Sequence, residues 1–126
     1  MKNLSTIGRI LFAFPFALQG LNHFLFLDYY LGNFTSFIPL GPYTIMLVGV
    51  FLMMASISII INKYVELSTL LLAILLFIFI VTIHIPGLFH SERFQVALIE
   101  LLKDTSLMGG ALYIAGMMRA KKKMEA

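Results

Sequence analysis

Residues 100–110 read ELLKDTSLMGG, and they set Glu100, Lys103 and Asp104 within five residues, just ahead of the small pair Gly109–Gly110. Beyond Asp104 the apolar stretch TSLMGGALYIAGMM has 14 residues. As a helix it would be about 21 Å long, short of the ~30 Å of hydrocarbon in a bilayer. The charged turn must therefore lie inside the outer part of the bilayer, or the membrane must thin around it. The segment is read as the fourth of four spans, and the surroundings of this stretch carry the fold.

Those surroundings are apolar. The chain has 126 residues, 60% hydrophobic and 12% charged, with a mean hydropathy of +0.97. Soluble domains carry about a quarter charged residues, so the composition is that of an integral membrane protein with a single membrane domain over 1–126. Segments at approximately 7–27, 43–61, 67–85 and 96–118 are long enough to cross. The expected fold is all-α, a four-transmembrane-helix bundle with antiparallel neighbours. Pro39, Pro42 and Pro86 fall at segment edges, while Pro15 lies inside the first and leaves the Leu11 carbonyl without its usual donor. The first apolar run lacks a small-residue cleavage site, so a retained span is expected rather than a signal peptide.

Basic residues orient the bundle. With both termini cytoplasmic, Lys2, Arg9, Lys63, Arg119, Lys121, Lys122 and Lys123 all lie inside. Arg93 is then outside and Lys103 is within the membrane. The expected location is the inner (cytoplasmic) membrane, multi-pass, N-in and C-in. Arg9 is expected to snorkel to the headgroups. The positive charge is thereby explained by topology, and nucleic acid is not an expected partner. The segment DYYLGNFTSFIPLGP, residues 28–42, is rich in aromatic rings and predicts an interfacial loop between helices 1 and 2.

Counting about 1.5 Å per residue from the cytoplasmic boundary brings polar residues of three helices to one layer. Asp104 and Glu100 climb about 22 and 28 Å above Arg119, His23 about 21 Å above Arg9, and His84 about 27 Å above Glu66. Gln19, Asn22 and His23 follow i, i+3, i+4 spacing, and so do Glu100, Lys103 and Asp104. A charge facing lipid costs about 2.5–3.5 kcal/mol, so these faces are expected to turn inward, with Lys103 paired to Asp104 or Glu100. The candidate ligand-binding pocket is Gln19, Asn22, His23, Thr82, His84, Glu100, Lys103 and Asp104. Any of them could instead serve only as interhelical glue, at about 0.6 kcal/mol per hydrogen bond. Gly20, Gly49, Ser106, Gly109 and Gly110 are candidate helix-packing positions.

Two stretches carry a family resemblance. GRILFAFPFALQGLNHF, residues 8–24, looks like the first helix of the DoxX family of small four-helix membrane proteins. LLKDTSLMGGALYIAG, residues 101–116, is similar to that family's last helix. Arg9, Gly20, Asn22, Lys103, Gly109 and Gly110 are the family-like positions. The resemblance implies a redox association, since some members are named for a subunit of thiosulfate:quinone oxidoreductase and others are linked to oxidative-stress complexes. Many members follow the glycine matching Gly49 with an acidic residue; here VGVFLMMASIS, residues 48–58, is uncharged. Thiol chemistry, which a methylamine-utilisation branch would invite, is excluded because the chain has no cysteine.

Several functions fit these residues. The first is a redox-associated subunit binding a quinone or similar amphipathic molecule. His23, His84 and Lys103 would supply hydrogen bonds, Asp104 or Glu100 would hold a proton, and no cofactor would be covalent. The alternative is a non-catalytic accessory or assembly protein, docking a membrane or redox partner or a second copy through helix 4. Transport of a proton or small solute ranks third, and a haem held by His23 and His84 last. The six carboxylates are scattered along the chain with no metal-ligand motif, so no metal is expected. No self-contained catalytic motif is present, and enzymatic activity stays open.

Overall fold

The computed structural model describes residues 2–29 and 42–125. Among these the chain is helical, with no strand. Helix α1 spans Lys2–Leu25 and α2 Pro42–Ile60. Helix α3 spans Val65–Phe79 and runs through a π-helical turn, Ile80–His84, into the short α4, Ile85–Gly87. Helix α5 is the longest, Phe94–Glu125. Three helical stretches are long and apolar enough to cross a membrane: Asn3–Leu25, Pro42–Ile60 and Val65–Gly87. The interfacial-loop expectation falls outside the described residues except for Asp28 and Tyr29, both exposed, and Pro42, which opens α2.

The chain divides into two compact units, Met1–Tyr64 and Val65–Ala126. In the first, α1 packs on α2. The direction is antiparallel, because Arg9 meets Ile59 and Ile60, Ala13 meets Ser56, and Gly20 meets Gly49. Both contact stripes follow alternating three- and four-residue steps. Ala13, Phe16, Gly20 and His23 are buried on α1, and Ile45, Gly49, Leu52, Ser56 and Ile59 on α2. This spacing keeps one seam facing the partner along its whole length. The backbones come closest where a Cβ on Gly20 would sit 2.6 Å from the Gly49 carbonyl oxygen. Only glycine fits there.

Polar groups along this seam are satisfied locally. Ser56 donates from Oγ to the Ala13 carbonyl at 2.7 Å, buried between the helices. Arg9 is engaged at the end of α2. Its guanidinium donates to the carbonyls of Ile59 and Ile60, the latter at 2.8 Å. The last carbonyls of a helix lack internal donors and sit at its negative end, so a nearby cation finds both hydrogen bonds and field there. Helix α2 then stops in a Schellman turn: Lys63 N–H bonds Ser58 O, Asn62 N–H bonds Ile59 O, and Asn62 takes φ 63°. Asparagine is among the few residues that tolerate that left-handed position.

In the second unit α3 packs antiparallel on α5. Glu66 pairs with Arg119 at one end, at 3.2 Å. At the other end a Cβ on Gly87 would lie 2.8 Å from the Cβ of Ala97. The α5 seam consists of Ala97, Asp104 and Ala111, seven residues apart, followed by Ala115. Alanine lets the helices approach closely, and the heptad repeat places Asp104 on the same line. The α3 seam runs through Val65, Thr69, Leu72, Ala73, Leu76 and Ile80. Continued at that rhythm it would next reach residue 83. The buried residue is instead His84, one position later, and Gly87 follows it.

The π turn causes that slip. Pro86 has no N–H to offer the carbonyl four residues back and crowds it, a common origin of helix irregularity. The Ile85 N–H bonds Ile80 O, five residues back, so one extra residue enters the turn. The contact face moves by one position, and His84 rather than Ile83 is turned onto α5.

Candidate functional site: a buried histidine–carboxylate pair in the second hairpin

The slip at the π turn and the heptad of α5 meet at one point. His84 Nε2 and Asp104 Oδ2 are 2.7 Å apart, with side chains 11% and 7% exposed. Both belong to a hairpin whose surroundings are Leu, Ile, Ala and Phe. Burying either group alone would cost several kcal/mol, on the order of 2–7, and the mutual hydrogen bond offsets this. An ionised carboxylate can only accept, so Nε2 carries the hydrogen. Among the described residues nothing hydrogen-bonds the other ring nitrogen, Nδ1. It is not sealed away either, since no fully buried polar side-chain atom lacks a partner.

One turn earlier on α5, Glu100 is half-buried and pairs with Lys103, Nζ to Oε2 at 2.9 Å. Lys103 itself is 49% exposed at the side chain. Of the two partners open to Lys103, it meets Glu100, while Asp104 is taken by His84. One ligating atom from each of His84, Glu100 and Asp104 lies within 4.8 Å of the others. The fold thus unites three groups that stand 16 and 20 positions apart in the chain. Counting helical rise brings all three to one level, but it does not say which of the polar residues at that level meet. The alanines add a hint, because Ala97–Asp104–Ala111 at seven-residue steps marks Asp104 as facing a neighbour.

Thr82 lies elsewhere on its helix: it is exposed and donates to the Ile78 carbonyl at 2.6 Å. In the first unit His23 is buried on the α1 seam, and its Nδ1–H donates to the Gln19 carbonyl at 2.7 Å. Its Cβ would lie 3.0 Å from a Cβ added at Gly49, so it packs over the end of the glycine contact. Gln19 is exposed and Asn22 half-buried. On α5, Ser106 and Gly109 are exposed and Gly110 half-buried. Among the described residues, a Cβ added at Gly109 or at Gly116 would meet no heavy atom within 4 Å beyond the adjacent turns of its own helix.

The chain matches no protein-family model, no curated protein and no solved structure.

Proposed function

We propose that the chain is a DoxX-like, multi-pass protein of the cytoplasmic membrane, N-in and C-in, with α5 as its fourth crossing. In this reading it is a redox-associated subunit that binds a quinone or similar amphipathic ring at the His84–Asp104 pair. The observation that carries it is a carboxylate-held imidazole buried in an apolar hairpin, with Nδ1 left without a hydrogen bond among the described residues. Asp104 holds the ring in one orientation and tautomer. The neutral ring can then accept the O–H of a quinol at Nδ1, and the protonated ring can donate to a quinone carbonyl. The apolar flanks of α3 and α5 suit an isoprenoid tail, and the resemblance of residues 8–24 and 101–116 to the DoxX helices supports the same chemistry.

The test is organic extraction of the protein purified from its native membrane, followed by mass spectrometry. About one quinone per chain is expected, falling sharply in His84→Gln. Recovery of none, with no uptake of an added short-chain quinone, removes the proposal. A second reading, docking of another membrane protein through α5, is favoured by Gly109 and Gly116, against which no other described helix of the second unit packs within 4 Å, since small residues allow a partner helix close approach. Photo-crosslinkers at Ser106 and Leu112 would capture one consistent protein partner under that reading and lipid alone otherwise.

A further inference from the structure

We propose that His84, Glu100 and Asp104 form a binding site for a divalent transition-metal ion, best matched by Zn²⁺. The inference goes beyond the quinone reading and does not depend on it. Glu100 and Asp104 are one turn apart on α5, so their carboxylates project from one face. His84 comes from the opposite helix, and one ligating atom of each lies within 4.8 Å of the others. One imidazole and two carboxylates are a donor set for Zn²⁺, Mn²⁺ or Fe²⁺ rather than for thiolate-seeking ions. Two carboxylates also balance a dication, so the loaded site would be neutral within apolar surroundings.

The fold makes these ligands rigid where rigidity matters. His84 is delivered by the π turn, a distortion that often marks functional positions in helices. Asp104 sits on the alanine seam, and the two helices are tied together near the site by the Gly87–Ala97 contact. Metal–ligand bonds of about 2.0–2.2 Å in a tetrahedral site keep adjacent donor atoms about 3.3–3.6 Å apart. The His84–Asp104 pair, now at 2.7 Å, would open by roughly 0.6–0.9 Å, with the ion replacing the hydrogen between them. Glu100 would swing inward and release Lys103, whose half-exposed ammonium can turn outward. Three protein ligands leave a fourth position open to water or a small ligand.

The experiment is titration of the full-length, metal-stripped protein, carrying no histidine tag, with Zn²⁺ by calorimetry and with Co²⁺ by visible absorption. One ion per chain is expected, with Co²⁺ bands of an N/O site. His84→Gln and Asp104→Asn should each lower affinity at least about tenfold, since even outer-shell changes at metal sites cost about 10–100-fold. His90→Gln, which alters an exposed histidine, should change nothing. Two further variants leave the buried pair intact: Glu100→Gln should weaken binding, and Lys103→Met should strengthen it. Opposite shifts in that pair cannot come from misfolding. Absence of stoichiometric binding, binding unaltered by Glu100→Gln and Lys103→Met, or binding lost in His90→Gln would overturn the proposal.

Discussion

Asp104 shows how much one position can decide. It lies between Ala97 and Ala111 on a seam that is otherwise methyl groups, and its carboxylate is accepted there because His84 answers it at 2.7 Å. Asp104→Asn keeps a hydrogen-bonding oxygen and should cost less than Asp104→Leu, which strands the imidazole. A buried polar group left unsatisfied costs about 1–3 kcal/mol, and thermal unfolding in detergent should show that order. The glycines divide the same way. Gly20→Ala would press a methyl 2.6 Å from the Gly49 carbonyl oxygen, whereas at Gly109 the methyl meets no other element among the described residues within 4 Å. Gly20→Ala should therefore lower the unfolding temperature, and Gly109→Ala should leave it unchanged or raise it, by up to about 1 kcal/mol of helix propensity. Equal effects of the two would mean that the Gly20–Gly49 contact is not what holds the first hairpin. At this scale the presence of polar groups was legible in the sequence, but their partners were not. Lys103 had two carboxylates within one turn, and only the packing of α3 assigns Asp104 to His84 and Glu100 to Lys103.

At the scale of elements, the π turn is the feature with the largest consequence. Pro86 marked the end of a span in the sequence; in the structure it also withdraws a donor and moves the α3 seam by one residue. Restoring the donor with Pro86→Ala should let the helix regularise and turn His84 off α5. The coupling between His84 and Asp104, measured by a double-mutant cycle, should then fall toward zero; coupling unchanged in the Pro86→Ala background would show that the proline does not set the register. The Schellman turn after α2 offers a second test. Asn62 holds φ 63°, a conformation glycine adopts freely, so Asn62→Gly should be neutral or stabilising. Asn62→Val, with a branched Cβ in that region, should destabilise. Helix existence and approximate ends were legible because apolar runs of about twenty residues have few alternatives. The one-residue slip was not, since it depends on how a chain accommodates a missing N–H.

For the molecule as a whole, the open question is the fourth crossing. Asn3–Leu25, Pro42–Ile60 and Val65–Gly87 qualify as spans on length and apolarity, while α5 carries Glu100, Lys103 and Asp104 in the part that would be embedded. The protein contains no cysteine, so single cysteines report without background. With α5 crossing, a cysteine at Glu92 should react with an impermeant maleimide from outside in intact cells. Cysteines at Ser5 and Lys122 should react only after permeabilisation. Labelling of Glu92 and Lys122 from the same side would mean that α5 does not cross.

The apolar runs of about twenty residues by themselves determined helices long and apolar enough to cross a membrane, because in hydrocarbon a helix satisfies its backbone groups within one segment. The sequence also supplied the list of polar residues that need an explanation. Which of these meet was decided by tertiary structure alone. A hydrogen bond between His84 and Asp104 requires that two seams, each set by helix phase, come into register, and a single π turn is enough to change which residue arrives.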